Sequence, residues 1–362
     1  MNKKKILLLI ESLGSGGAER QISGLAVLLK QQGYEVKLWY YVDKDFYVPY
    51  LNENGVESEC LAEARNPRKR YFVLRKRIHE YAPDTVISYT ASTSMITCLM
   101  KALGAKFRLV VSERSTTQVL TSNVKCRFFF YRWADVIVPN SQSQSDFIAK
   151  HYPKLAFKVK VITNFVDIEK FSPVDRPVME ERDEVRMLCV GRMMLPKNIL
   201  SFIRAIRKVK DDGRKLHVDW FGHDLQDDYS KQCHAAIAGN HLEDVFVFHP
   251  ASTNIVEEYR KADVFCLPSL YEGFPNVLCE AMSCGLPVLV SRVCDNPLIA
   301  KEGENGLLFD PKNIDEMVET IERFLAYPME KKSQMGQCSR RIAVELFSEK
   351  SFIEKYMSII CW

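Results

Sequence analysis

Short apolar runs ended by turn residues recur along the whole chain, and most are followed by a stretch whose apolar residues repeat at helical spacing. Residues 5–10 read as a strand, residues 17–32, closed by Gly33, as a helix, and residues 34–42 as the next strand. The rhythm continues with strands expected at 85–89, 107–112 and 135–139. It breaks near residues 164–173, passes through the acid-rich stretch 180–184, and resumes with strands expected at 186–191, 215–222, 245–249, 262–268, 287–291 and 306–310. Strands that alternate with helices pair in parallel and are covered on both faces. The expected class is therefore α/β, with two Rossmann-like doubly wound domains, residues 1–168 and 169–347, facing across a cleft. A chain of 362 residues, 47% of them apolar, can bury a core in each. Ligands of such sheets gather at the carboxyl ends of strands, so the loops that follow strands are where chemistry is sought.

Charge is informative when split by position. Residues 1–165 carry 25 Lys and Arg against 14 Asp and Glu, a balance of +11, and the remainder carries 25 against 32, a balance of −7. A basic half points to an anionic partner: a phospholipid surface, a lipid diphosphate or a nucleic acid. Its densest cluster, Arg65, Arg68, Lys69, Arg70, Arg75, Lys76 and Arg77, is interleaved with Tyr71, Phe72 and Leu74, a mixture suited to lying on an anionic membrane. A solvated helix face explains that stretch alone almost as well, and the asymmetry of the whole half favours the membrane. No helix-turn-helix, zinc or RNA-binding signature supports nucleic acid.

The longest apolar runs fall far short of the ~20 residues a spanning helix needs. Lys3, Lys4 and Lys5 precede a short apolar stretch that meets Glu11 without a cleavage signal, so the start reads as a first strand of a cytoplasmic protein. The eleven cysteines are scattered and form no CxxC pair, as expected of reduced, buried small hydrophobes.

Three loops carry the candidate chemistry. Gly14-Ser15-Gly16-Gly17-Ala18-Glu19-Arg20 runs into a helix, where glycines admit a close ligand and the free N–H groups face an anion. Position 19 is not glycine, which disfavours a dinucleotide fingerprint. Gly191-Arg192 ends a strand and Lys197-Asn198 opens a helix, two cations able to hold a diphosphate; two solvated surface cations would have the same spacing. The sharpest feature is Glu272-Gly273-Phe274-Pro275-Asn276-Val277, with Glu280 three residues beyond Val277 and Gly285 after it. Pro275 suits a helix start and Gly285 its end, which places Glu272 on the entering loop and Glu280 on the helix. Amides near Phe274, Asn276 and Val277 would face a bound anion, with the two carboxylates accepting sugar hydroxyls. No Asp-x-Asp metal site is present: Asp211-Asp212 and Asp227-Asp228 read as surface pairs at helix ends, and no cofactor or metal is expected.

These motifs resemble the family 4 glycosyltransferases, a large retaining family of GT-B architecture. The likeness covers essentially the whole chain, from Gly14–Arg20 through Gly191–Asn198 and Glu272–Glu280 to Glu304-Asn305-Gly306. It implies Arg192 and Lys197 on the diphosphate of a nucleotide-sugar donor, Glu280 on the ribose and Glu272 on the transferred sugar. It also implies a final helix, 348–362, that completes the first domain. Two departures stand out. Many relatives carry a His near the donor sugar, where this chain has Ser112-Glu113-Arg114-Ser115-Thr116, and Cys294-Asp295-Asn296-Pro297-Leu298 stands where a glycine pair and a Glu are common. The Ser-Glu-Arg sequence is similar to branches that build bacterial capsule, O-antigen and other lipid-linked glycans. Glu113 and Arg114 are candidates for the acceptor side, Glu113 holding the acceptor hydroxyl, orienting Arg114 or forming a structural ion pair.

The resemblance thus implies transfer of a sugar from a UDP-hexose or UDP-N-acetylhexosamine to a polyprenyl-diphosphate-linked or other membrane-associated glycan, at the cytoplasmic face of the inner membrane. A sugar nucleotide epimerase of the same fold, or a catalytically silent nucleotide-sugar-binding subunit, is the alternative.

Overall fold

The computed structural model describes residues 4–114, 116–174 and 184–360. The chain divides into two compact units, Met1–Phe165 with Glu349–Trp362, and Val166–Ser348.

In the first unit six strands form one parallel sheet: β1 (Lys5–Leu9), β2 (Glu35–Tyr40), β3 (Glu57–Cys60), β4 (Thr85–Tyr89), β5 (Arg108–Glu113) and β6 (Val136–Pro139). Their order is β3-β2-β1-β4-β5-β6. The unbroken apolar run of β1 has a simple cause. Side chains alternate across a strand, so Ile6 and Leu8 pack on one face with Leu25 and Leu29 of the helix Gly17–Gln31. Leu7 and Leu9 pack on the other with Leu74 and Ile78 of the helix Pro67–Tyr81. Strand β3 has no counterpart in the expected elements. Glu57-Ser58-Glu59-Cys60 is an edge strand with exposed and half-buried side chains, so no apolar run marks it.

The second unit repeats the plan with β7 (Val185–Val190), β8 (Leu216–Phe221), β9 (Phe246–His249), β10 (Val264–Leu267), β11 (Val288–Ser291) and β12 (Gly306–Phe309), in the order β12-β11-β10-β7-β8-β9. Read from its own first strand, that is the order of the first unit. Both are the doubly wound Rossmann order, in which the third and sixth strands lie at the edges. Of the acid-rich stretch 180–184, residues 180–183 lie outside the described residues, as do Ser115, Cys361 and Trp362. Among the described residues no helix is long and apolar enough to cross a membrane.

The last helix, Glu349–Ile360, belongs to the first unit, where Phe352, Ile353, Tyr356, Ile359 and Ile360 are buried in the core around β1. A polar hub fixes it there. The Arg114 guanidinium donates to Tyr89 and to Tyr356 of that helix, and to the Asn164 side chain at 2.9 Å, while lying 4.5 Å over the Tyr89 ring. The two tyrosine hydroxyls also bond each other at 2.9 Å. Beside them the wholly buried Gln21 holds both backbone groups of Phe165, donating to its carbonyl at 2.9 Å and accepting from its N–H at 3.0 Å. The Phe165 ring lies so close to Gly24 that a Cβ there would come within 2.2 Å of it.

Replacing Arg114→Met deletes the charged donors but leaves Tyr89 and Tyr356 bonded to each other. Hydrogen-exchange protection of residues 349–360 should fall by roughly tenfold to a hundredfold, the equivalent of one or two lost hydrogen bonds, with the helix Asn276–Ser283 unchanged. Equal protection in both proteins would show that apolar packing alone holds the helix.

Candidate functional site

In the second unit the strand order reverses between β7 and β10, and the loops that follow these strands flank the crevice such a reversal creates. The first loop begins at Gly191, whose backbone is pressed against β8. Its N–H donates to the Phe221 carbonyl at 2.9 Å, and its own carbonyl accepts from the Trp220 indole at 2.8 Å. A Cβ on Gly222 would lie 1.9 Å from the Gly191 carbonyl oxygen, so neither strand end tolerates bulk. Arg192 is exposed, and a 3-10 turn, Leu195–Lys197, follows. Asn198 then takes a left-handed conformation with φ of 57° and donates to the carbonyls of Pro268 and Pro311, at 3.2 and 2.8 Å. One buried amide thereby ties the loops after β7, β10 and β12 together, and Leu270 N–H to Pro196 carbonyl adds a further tie at 2.8 Å.

This scaffold places Lys197. Its stem crosses Gly191, where a Cβ would meet the lysine Cε at 2.9 Å, and its ammonium lies 2.7 Å from Glu272 Oε1. The Ser269 hydroxyl donates to the same oxygen at 2.5 Å. Both charged side chains are mostly shielded from water, with 16% and 12% of their surface exposed. At this depth water screens the pair less than it would at the surface, and the contact holds the ammonium in one direction. The Cys294 thiol lies near Glu272, and burial pushes it above its usual range. Cys294 takes a left-handed conformation with φ of 48°.

The helix Asn276–Ser283 starts after Pro275 and ends in the glycine turn the sequence indicated. Gly285 has φ of 77°, and Leu286 N–H closes back on the Ala281 carbonyl at 3.1 Å. Glu280 is buried to 5% exposure and accepts from the Tyr259 hydroxyl at 3.2 Å. The amides expected to face an anion are not all free: Asn276 N–H donates to the Phe274 carbonyl at 3.0 Å. The Phe274 ring turns inward, 5.7 Å from that of Phe347. Ser269 and Tyr259 were not singled out in the sequence. Ser269 lies three residues before Glu272, which is a signal of a kind, whereas Tyr259 sits on the separate helix Ile255–Lys261 and offers none.

At the carboxyl edge of the first sheet, Gly16 caps the helix Gly17–Gln31, and Glu19 folds back over it. A Cβ on Gly16 would meet the Glu19 carboxylate at 2.2 Å, so the helix N-terminus is faced by an acid of its own chain. Glu113 ends β5 and Arg114 follows it, but the two do not bond each other. Glu113, with 2% exposure, accepts from the Tyr131 hydroxyl and lies 3.2 Å from Arg127, and burial raises its carboxyl above the ordinary range despite both. Of the roles considered for it, the internal ion pair is the one its partners describe, and that partner is Arg127. Arg114 is turned towards Tyr89, Tyr356 and Asn164.

Residues 15–170 match the model of Glycosyltransferase Family 4, and residues 174–341 that of Glycosyl transferases group 1. The chain belongs to the family 4 glycosyltransferases. It is 27% identical to the Campylobacter jejuni N-acetylgalactosamine-N,N'-diacetylbacillosaminyl-diphospho-undecaprenol 4-alpha-N-acetylgalactosaminyltransferase over 89% of this chain and 90% of that one. It is 28% identical to the amylovoran biosynthesis glycosyltransferase AmsD of Erwinia amylovora, over 79% and 80%. Among solved structures it resembles Anabaena HepE in complex with UDP, with a TM-score of 0.84 and 19% identity over 98% of each chain. It also resembles a glycosyltransferase of Rickettsia africae, with a TM-score of 0.85 and 17% identity over 99% and 98%. Both have the same fold.

In this family 4 glycosyltransferase the structure brings Lys197 and Glu272 together, sets Glu280 on the helix Asn276–Ser283, and places Arg192 in the loop that carries Lys197. Lys197→Ala is expected to lower kcat/KM by about 100- to 1,000-fold, the cost of removing one charge stabiliser from a transition state. Glu272→Gln should also impair transfer, and the double variant should lose less than the product of the two, because the residues act as a pair. Multiplicative losses in steady-state kinetics would show that the ion pair has no part in placing the lysine.

Proposed function

We propose that this glycosyltransferase moves a hexose or N-acetylhexosamine from a UDP-sugar, with retention of configuration and without a metal ion, to a polyprenyl-diphosphate-linked or other membrane-associated glycan. The product belongs to a bacterial surface polysaccharide such as a capsule or lipopolysaccharide. The enzyme rests peripherally on the cytoplasmic face of the inner membrane. The observation that carries the reading is the Lys197 ammonium held across Gly191 by Glu272 and backed by Ser269, at the switch point of a Rossmann sheet.

The chemistry follows from these groups. A nucleoside diphosphate in the crevice has its phosphates beside Lys197 and Arg192, which neutralise the charge that builds as the bond between the anomeric carbon and the β-phosphate oxygen breaks. Glu272, released by the competing phosphate, accepts hydroxyls of the transferred sugar, and Glu280 those of the ribose. The acceptor hydroxyl attacks the anomeric carbon from the face the diphosphate leaves, and its proton passes to the departing phosphate oxygen. The two cations do the work a metal does elsewhere.

The relatives support the finer assignments. Two Campylobacter jejuni enzymes are named as N-acetylgalactosaminyltransferases acting on diphospho-undecaprenol glycans, one at 27% identity over 89% of this chain and the other at 27% over 77%. HepE was crystallised with UDP. The positive balance of residues 1–165 fits an anionic, membrane-held acceptor.

The test is binding and hydrolysis across a panel of nucleotide sugars with a chelator present. One UDP-sugar should bind and turn over slowly, releasing the α-anomer from an α-linked donor. If a nucleotide sugar binds and no turnover follows under any condition, the silent-subunit reading replaces this one; if none binds, the donor assignment is wrong; and if turnover occurs only after a divalent ion is restored, the metal-free step is wrong.

A further inference from the structure

A lipid-linked acceptor restricts which edge of the first unit a bilayer can touch. All strand pairs of that sheet are parallel, so the loops that follow its strands share one edge, and the glycine loop 14–17 is among them. An acceptor anchored in a bilayer by its lipid and presented at this edge by its sugars requires the edge itself to face the bilayer. Resting on the membrane-held acceptor proposed above, we propose that three loops of this edge form the contact with anionic phospholipid. Phe46 after β2 and Val119 with Leu120 after β5 are its apolar tips, and Arg65, Arg68 and Lys69 after β3 are its cations.

The apolar tips are exposed by a backbone that is firmly held. Phe46 is 64% exposed, Val119 68% and Leu120 36%. The Phe46 loop is pinned to the loop after β1 by two backbone bonds, Leu13 N–H to the Lys44 carbonyl at 2.9 Å and Tyr47 N–H to the Leu13 carbonyl at 3.3 Å. Phe46 stands edge-on to Tyr47, with ring centroids 5.0 Å apart. The second loop is fixed before its tip, where Thr117 N–H donates to Gln144 at 2.8 Å and Arg127 to the Thr117 hydroxyl at 2.9 Å, and after it by Thr121, which caps the helix Ser122–Phe130. A loop so held gains nothing in the folded unit from presenting large apolar tips to water; in a bilayer interface the same tips are favourable.

Arg65, Arg68 and Lys69 are exposed, at the end of the 3-10 turn Ala62–Arg65 and the start of the helix Pro67–Tyr81. Asp43, Asp45 and Glu63 stand on the same edge, so charge alone would bind weakly and the apolar tips are required. This divides the basic stretch read from the sequence. Arg77 is spent on Glu59, and Arg70 on the carbonyls of Ala64 and Arg65 and on the Tyr41 ring. Arg75 and Lys76 lie further along the helix, towards the opposite edge.

That opposite edge holds the rival surface, a groove of about 1070 Å³ lined by Phe72, Arg75, Lys76, Leu103 and Lys106. Strands of five residues separate the two edges by roughly 17 Å before loops are added, too far for one flat bilayer to reach both. Two helices also end near the groove, and Lys101 in the last turn of one is a cation that a helix C-terminus attracts without any ligand.

The experiment is co-sedimentation of the full chain with vesicles of phosphatidylglycerol in phosphatidylcholine, against phosphatidylcholine alone, with donor hydrolysis as the check on folding. The pair Arg68→Ala and Lys69→Ala should weaken partitioning about thirtyfold. The pair Phe46→Ser and Leu120→Ser should weaken it on both vesicle types, and Arg75→Ala with Lys76→Ala should leave it unchanged. Wild-type binding that survives the first two pairs, or is lost only with Phe72→Ser, Arg75→Ala and Lys76→Ala, overturns this proposal and leaves the membrane reading standing. Wild-type protein that binds neither vesicle overturns the membrane reading itself.

Discussion

Parallel pairing is the constraint on which the rest of this structure depends. A parallel strand cannot be followed by a tight hairpin, so each is followed by a crossover, and every strand delivers its next loop to the same edge. Loops far apart in sequence are thereby brought side by side without any need to attract one another. In the second unit this puts the loops after β7 and β10 next to each other, although Lys197 and Glu272 are 75 positions apart. The Asn198 amide then locks that neighbourhood into a defined geometry, since its bonds to Pro268 and Pro311 hold three loops at once.

Much of this was legible because parallel strands buried on both faces write themselves as plain apolar runs. Strand β1 is marked in that way, as are β4, β10 and β11, all buried throughout or nearly so. The edge strand β3 was not, since two glutamates and a serine among its four residues satisfy an edge facing water. The motif around Glu272 and Glu280 was legible for another reason: Pro275 and Gly285 mark a helix start and end by backbone chemistry, independent of packing. Partners were the hidden part. Nothing local tells that Glu113 will meet Arg127 and Tyr131 and not its neighbour Arg114, because the choice is made by the docking of the helix Ser122–Phe130. Nor could the sequence show that Glu19 would fold over Gly16 at the N-terminus of its own helix.

The buried polar groups divide into two kinds. Lys197 with Glu272 is an ion pair that keeps some exposure to solvent. Arg114 and Gln21 are of the other kind, each held by fixed partners of the first unit, the tyrosines and Asn164 in one case and the Phe165 backbone in the other. Such groups add little net stability over apolar packing but tolerate only one arrangement of the segments they join.

The return of the helix Glu349–Ile360 to the first unit has a consequence for biosynthesis. Its apolar side chains fill part of the core around β1, so that core stays open until residues 349–360 have been made. Translation of the intervening residues 166–348 takes roughly 10–40 s at ordinary ribosome speeds. During that interval the helix Gly17–Gln31 lacks the neighbour that Glu349–Ile360 provides, and Arg114 lacks its Tyr356 partner. The second unit, made of one uninterrupted stretch, is free to fold first. The nascent first unit is then the part of this protein that chaperones should hold longest.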